Sequence, residues 1–339
     1  MIDPPKLTIV VPCYNEEAVI SQTFEQLSHV LKQLMVEDLI SNKSQLLFID
    51  DGSCDATWAF IHHAYLSTDY VYGLKLARNF GHQKALLAGL SHAATDSDCV
   101  ISIDADLQDD VHVIREFVIK YLEGFDIVYG VRKNRKTDTW FKRVTAQGFY
   151  KLMKKMGLPL VYNHADYRLM NQRALKELLR FQEANLFLRG IVPLIGLKTT
   201  KVFYDRKERA AGESKYPLRK MLAFAFDGLS SFSVKPIRLI TAVGLLSFII
   251  SFMTGIYVLF EKIVGDPQSG WASLMISLWF IGGLLLMSIG LIGEYIGKIY
   301  EEVKDRPRFI IEQVLQHADY ETIESVDLKE PIMALSRER

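Results

Sequence analysis

Charge of one sign is missing: 40 Lys and Arg stand against 40 Asp and Glu in 339 residues. That balance argues against a basic nucleic-acid binder and against an acidic tail. Cysteine is scarce as well. Cys13, Cys54 and Cys99 are an odd number with no CxxC or metal-like spacing, so neither a disulfide framework nor a zinc site is indicated. Each lies in or beside an apolar, strand-like run, which predicts buried thiols in a reducing compartment. The first ten residues, MIDPPKLTIV, lack a basic start followed by a long apolar stretch. The sequence therefore predicts no signal peptide and an N-terminus in the cytosol.

Long uncharged runs, by contrast, are present, and both are near the C-terminus. Every residue between Arg238 and Glu261 is uncharged, and a second uncharged run extends from Pro267 to Gly293. Crossing a hydrocarbon core takes about 20 helical residues, so 236–260 and 271–295 are predicted as two transmembrane helices. Lys215, Arg219, Lys220, Lys235 and Arg238 precede the first run, and Lys298, Lys304, Arg306 and Arg308 follow the second. The loop between them has only Lys262 against Glu261 and Asp266. The positive-inside rule then puts residues 1–215 and the tail 296–339 in the cytoplasm, with the short loop outside. The segment 216–235, basic at one end and rich in Phe, Leu and Met beyond, is predicted as an amphipathic helix lying in the membrane interface.

The first half alternates two periods. Apolar, β-branched runs at 7–12, 46–50, 71–76, 99–104 and 126–131 read as buried strands, and 17–34, 55–66, 81–94 and 111–122 between them read as helices. Such alternation predicts an α/β domain over 1–215 with a mostly parallel sheet covered on both faces. Further on, a helix is expected near 139–155, a strand pair at 165–170 and 199–205, and a helix at 172–182. Residues 298–316 read as a short helical return, followed by a polar tail.

In such sheets ligands bind beyond the carboxyl ends of the strands, and three of those ends carry chemistry. The first ends in VVPCYNEE (10–17), which offers an aromatic ring and acceptor side chains to a flat base. The second ends in IDDGSCD (49–55), where Asp51 is the better ligand candidate and Asp50 and Asp55 suit capping. The fourth ends in SIDADLQDD (102–110). Alternate residues of an extended segment point the same way, so Asp104 and Asp106 present two carboxylates on one side. Neighbouring carboxylates repel unless a cation or protons lie between them. A hard divalent ion, also held by diphosphate oxygens, resolves that repulsion.

These motifs resemble the inverting family 2 glycosyltransferases of the GT-A fold, and among them the polyprenyl-phosphate sugar transferases, a branch that includes dolichol-phosphate mannose synthases and bactoprenol glucosyltransferases. The resemblance runs to about residue 310. It implies that Pro12, Tyr14, Glu16 and Asp51 hold the nucleoside, that Asp104, Ala105 and Asp106 hold the diphosphate, and that Asp104, Asp106 and Gln108 hold Mg2+ or Mn2+. RNFGHQKAL (78–86) matches as well, with His82 in a structural or substrate-positioning place. Arg132, Arg143, Arg206, Arg209 and Lys215 are implied as partners of the lipid phosphate, Arg209 aligning best with the signature that closes over the site. Asp166, in ADYRLM, is the implied base. The reaction implied is transfer of a sugar, glucose from UDP-glucose first and N-acetylglucosamine second, onto polyprenyl phosphate at the cell membrane. Homo-oligomers, a flippase and a downstream glycosyltransferase are the partners that go with it. A processive polysaccharide synthase would carry QxxRW, and none of Trp58, Trp140, Trp271 and Trp279 follows an Arg. A non-enzymatic scaffold would need the two spans but not the strand-end carboxylates.

Overall fold

A computed structural model describes residues 3–133, 164–183, 187–205, 235–264 and 270–317. In chain order these form β1 (Leu7–Cys13), α1 (Ile20–Val36), β2 (Gln45–Asp50), α2 (Thr57–Ser67), β3 (Val71–Leu76), α3 (His82–Ala93) and β4 (Cys99–Ser102). A short turn at Val111–Val113 leads into α4 (Ile114–Leu122), then β5 (Ile127–Arg132), β6 (His164–Asn171), α5 (Gln172–Leu179), α6 (Leu188–Ile191) and β7 (Thr199–Tyr204). The chain continues through α7 (Lys235–Val264), α8 (Trp271–Val303) and β8 (Ile311–Leu315).

All eight strands form one sheet in the order β7-β5-β6-β4-β1-β2-β3-β8. Its centre is parallel: β1 pairs with β2 and β4, and β2 with β3. β6 runs antiparallel between β4 and β5, and β7 is parallel to β5. The two segments expected as a strand pair, 165–170 and 199–205, are thus separated by β5 and lie on either side of it.

β1 explains why the centre holds. All seven of its residues are buried, and their side chains alternate between two apolar layers. Leu7, Ile9 and Val11 join Leu27, Leu31, Ile61 and Phe117 on one face. Val10 joins Leu47, Ile49, Leu86, Leu90 and Leu175 on the other. α3 lies so close to the sheet that a Cβ at Gly89 would come within 2.5 Å of both Val10 and Ile49. Cys13 and Cys99 are buried as expected, whereas Cys54 is exposed, because it follows β2 in a turn.

α7 and α8 are long and apolar. By length and composition Phe280–Val303 of α8 is enough to cross a membrane, with none of its apolar window buried, and α7 carries a shorter apolar stretch at Ile240–Thr254. Leu245, Phe252, Leu278 and Leu286 are each at least 58% exposed, a surface that water does not favour. The helical return expected at 298–316 is half right. α8 continues to Val303, Asp305 takes φ 44°, and Pro307 prevents helix from resuming. The chain then becomes β8, which adds antiparallel to β3 at the sheet edge. Trp58 Nε1 donates to Gln313 Oε1 at 3.1 Å, and the His317 ring stacks on Tyr65 with centroids 4.3 Å apart. The interfacial helix expected at 216–235, like the one near 139–155, lies outside the described residues apart from Lys235, which begins α7.

Candidate active site

The strand order reverses at β1: the chain moves outward through β2 and β3, then returns to place β4 on the other flank. A crevice opens at such a reversal, beyond the carboxyl ends of the strands. There the ends of β1, β2 and β4 bring together the three motifs read from the sequence.

The first two loops are stitched to each other. Asn15 takes φ 55°, its backbone N–H donates to Ser53 Oγ at 3.0 Å, and its Oδ1 accepts from the Cys54 N–H at 2.9 Å. The Glu16 N–H donates to Thr57 Oγ1 at 2.9 Å, and Glu17 Oε2 accepts from the Ala56 N–H at 3.0 Å. Tyr14 stands out of this knot 44% exposed. Pro12 and Ala105 are buried, so neither offers a side-chain surface to a ligand. Asp51 is buried as well, and its two oxygens accept from the Phe80 N–H at 2.7 Å and the Gly81 N–H at 2.9 Å. It thereby fastens the loop after β3. Burial raises its pKa, and these two bonds oppose the rise. Gly52 completes the junction: it takes φ +69°, and a Cβ there would be 2.5 Å from the Arg78 carbonyl carbon.

That fastening sets the start of α3. Gly81 precedes the helix, and His82 Nε2 then lies 3.5 Å from Asp104 Oδ1 and 3.6 Å from Asp166 Oδ2. Burial alone would lower the His82 pKa, but the neighbouring Asp166 and Asp104 carboxylates raise it on balance. Burial, reinforced by the charges of Asp166, Asp109 and Asp106, pushes the Asp104 carboxyl up to about 6, with His82 working in the opposite direction.

Asp166, on β6, is the hub. Its carboxylate accepts from Arg189 Nη2 at 2.9 Å and Nε at 3.1 Å, from Gln83 Nε2 at 3.3 Å, and from Arg168 Nη2. Burial tends to raise its pKa, yet Arg189, His82 and Arg168 hold it well below the ordinary carboxylate range. A carboxylate so stabilised is a poor proton acceptor, and its contacts make Asp166 an anchor for Arg189, Arg168 and Gln83. Gln83 extends the anchor by accepting from the Leu188 N–H at 3.2 Å, which fixes the start of α6. Arg189 follows on α6, with 40% of its side chain exposed. Arg189 was not among the residues expected at the site. Its signal was one cation inside the apolar run LFLRGIVPL, where Leu188 and Ile191 are buried.

The remaining carboxylates of SIDADLQDD are structural. Tyr204 Oη donates to Asp109 Oδ1 at 2.6 Å and Arg132 Nη2 donates to the same oxygen at 3.1 Å. Asp110 Oδ1 accepts from the His112 N–H at 3.2 Å and so caps the turn before α4. Arg132 is thus engaged inside the domain, with 23% of its side chain exposed. Arg143, Arg206, Arg209 and Lys215 lie outside the described residues.

No three His, Cys, Asp or Glu side chains gather into a metal-binding group among the described residues. The donors beyond β4 nevertheless suit a hard cation. Asp104 and Asp106 are two residues apart on one turn, and Gln108 buries a side-chain oxygen with no hydrogen-bond partner among the described residues. Oxygen donors of this kind fit Mg2+ or Mn2+, with phosphate oxygens completing the shell.

The model of glycosyl transferase family 2 matches residues 8–179, from β1 to the end of α5. The chain is a family 2 glycosyltransferase. The model of the GtrB C-terminal hairpin matches residues 235–299, which cover α7 and most of α8. An uncharacterized glycosyltransferase of Bacillus subtilis (strain 168), YkoT, is 61% identical over 91% of each chain. The SfII prophage-derived bactoprenol glucosyl transferase of Shigella flexneri is 40% identical over 91% of this chain and 98% of its own. Among solved structures, glucosyl-3-phosphoglycerate synthase of Mycobacterium tuberculosis shares 18% identity over 67% of this chain and 79% of its own, with a TM-score of 0.45. For a family 2 transferase, the crevice at β1 and β4 is where the strand-end carboxylates and the His82–Asp166–Arg189 group converge.

Proposed function

We propose that this glycosyltransferase moves glucose from UDP-glucose to undecaprenyl or another polyprenyl phosphate, with inversion at the sugar and in the presence of Mg2+ or Mn2+. The observation that carries the reading is the union, in one chain, of the carboxylate-lined crevice with the exposed apolar hairpin. The name of the Shigella relative, similar over both parts, supports the lipid acceptor. We place the catalytic domain and both termini in the cytoplasm, with α7 and α8 crossing the membrane, on the charge flanking the apolar runs.

Asp104, Asp106 and Gln108 would hold the divalent ion, which when bound offsets the charge of the departing diphosphate. Tyr14 and Glu16 border the nucleoside side of the crevice, and Asp51 shapes that side through the loop it fastens. Arg189, oriented by Asp166, and His82, whose pKa is raised, supply positive charge where two anionic substrates meet. Arg132, Arg143, Arg206, Arg209 and Lys215 are assigned to the lipid phosphate. A phosphate monoester has its second pKa at about 6, so near neutral pH it attacks already ionised and needs no strong base. That removes the need for Asp166 to accept a proton.

The test is transfer by the purified full-length chain in detergent, with undecaprenyl phosphate and a panel of labelled nucleotide sugars. A lipid-linked glucose from UDP-glucose is expected. Product from UDP-N-acetylglucosamine instead would change the sugar, and a polymer would favour a processive synthase. The absence of any lipid product would overturn the acceptor.

A further inference from the structure

A cleft of about 980 Å³ separates the C-terminal end of α8 from the catalytic domain, and its lining includes Lys84, Gly290, Gly293, Gly297, Arg306 and Arg308. We infer that this cleft is an entry subsite for the phosphate head and first prenyl units of the lipid acceptor, where Lys84, Arg306 and Arg308 contact the phosphate before it passes to the cations assigned above.

Three observations converge on it. First, the cations are uncommitted. The cleft also has carboxylates, among them Glu294 and Glu301, yet Lys84, Arg306 and Arg308 form no ion pair among the described residues. Three cations collected at one concavity without partners suit a dianionic head group, and arginine suits phosphate oxygens in pairs. Second, one wall has room for a chain. A Cβ at Gly290, Gly293 or Gly297 would meet nothing within 4 Å, so this side of α8 faces open space. Immediately before it on the helix, Leu285, Leu286 and Ile289 are exposed and apolar. A lipid tail on α8 would pass from that apolar surface onto the glycines, and its head would meet charge where the apolar stretch ends. Third, the cleft adjoins the chemistry. Lys84 is in the first turn of α3, two residues after His82, which contacts Asp104 and Asp166.

The basic residues after α8 thereby acquire a role beyond setting orientation. β8 holds them in place: the Ala77 N–H donates to the Ile310 carbonyl at 2.9 Å, and Lys75 Nζ lies 3.2 Å from Glu312. The segment 306–310 is thus pinned beside the loop that Asp51 fastens.

This inference rests on the reading of the acceptor as a polyprenyl phosphate, and binding is therefore measured apart from turnover. The full-length chain in detergent micelles is titrated by calorimetry with undecaprenyl phosphate, farnesyl phosphate, inorganic phosphate and UDP, and initial transfer rates are recorded alongside. The double variant Arg306→Gln/Arg308→Gln is expected to bind both prenyl phosphates about ten- to a hundredfold more weakly, with UDP affinity unchanged. Arg306→Lys/Arg308→Lys should recover most of that loss. Gly293→Leu, whose Cβ meets nothing within 4 Å and which favours helix, should weaken both prenyl phosphates while leaving inorganic phosphate and UDP unaffected. Unchanged prenyl-phosphate binding in the Gln double variant and in Gly293→Leu overturns the subsite, as does a parallel loss of UDP affinity. Equal binding of inorganic phosphate and the prenyl phosphates, lost with the arginines and indifferent to Gly293→Leu, overturns the lipid assignment in favour of a plain phosphate site. Lipid binding that depends on the cleft in a chain that transfers no sugar leaves the subsite standing and removes the proposed reaction. Transfer to lipid that ignores every cleft variant does the reverse.

Discussion

Replacing Asp166 with Asn separates an anchor from a catalytic base, because the two roles predict different losses. Arg168 is 1% exposed, and its charge is balanced by the Asp166 carboxylate. Removing one partner of such a buried pair costs about 3–5 kcal/mol, since the other charge stays behind uncompensated. For a domain of this size each kcal/mol moves the melting temperature by about 2–4 °C, so Asp166→Asn should lower it by roughly 6–20 °C. Removing both charges is much less costly when the replacements pack. Asp166→Asn/Arg168→Met should therefore regain most of the lost stability while staying inactive, because Arg189 and His82 lose their anchor. The pH dependence has a definite sign. The folded-state pKa of Asp166 is depressed, so its contribution is complete above the unfolded carboxylate value of about 3.9 and disappears only as pH falls through the lower folded value. Asp166 itself consequently adds no pH dependence between pH 5 and 8, but its support of protonated His82 does. The gap in melting temperature between wild type and Asp166→Asn should be largest below the unfolded histidine value of about 6.5 and shrink as pH rises through the higher folded value. The assay is thermal unfolding in detergent across that pH range, with transfer rates on the same preparations. An Asn variant that melts with the wild type, but whose rate loses an acidic limb, would refute the anchor and restore the base.

Asp104→Asn and Asp106→Asn should each abolish transfer and leave the melting temperature within a few degrees of wild type; full activity in chelator, or in either variant, would exclude the metal. Without metal the Asp104 carboxyl titrates at about 6, and a protonated carboxyl does not ligate, so Mn2+ affinity measured with UDP present should fall steadily as pH drops from 7 to 5. Arg132→Ala leaves the buried Asp109 with only its Tyr204 hydrogen bond, so it should lose about 1–3 kcal/mol of stability in addition to any acceptor defect; a purely kinetic phenotype would break that pairing. Single cysteines placed at 40 and in the tail should resist an impermeant thiol reagent in intact cells while one in 265–269 reacts, and the opposite pattern would reverse the topology.

The fold was legible where period and length agreed. The first five strands and first four helices came through because β-branched runs of strand length alternate with apolar stripes of helical period. Site residues were legible when position alone made them conspicuous, as with Asp104 and Asp106 directly after a buried strand. Asp109 and Asp110 belong to the same acidic run and look no different in sequence. What makes Asp109 structural is Arg132, 23 residues away, and Tyr204, 95 residues away, and no local pattern encodes those separations. Asp166 was legible as important but not as an anchor, since Arg189 joins it from 23 residues further along the chain.

β8 was hidden for a different reason. IIEQVL (310–315) does not alternate apolar and polar residues, it follows a helix of 33 residues, and it gains ladder partners only by returning to β3. An isolated run of five residues has no register of its own; β3 supplies it, from Leu315 opposite Gly73 to Ile311 opposite Leu76. Trp58, Tyr65 and Thr68, all on or just after α2, then bind Gln313, Gln316 and His317. The end of the apolar hairpin is thereby tied to the same sheet edge whose next loop is held by Asp51. The path from α8 to the crevice therefore runs along paired backbone, a constraint that neither the hairpin nor the catalytic half shows when considered alone.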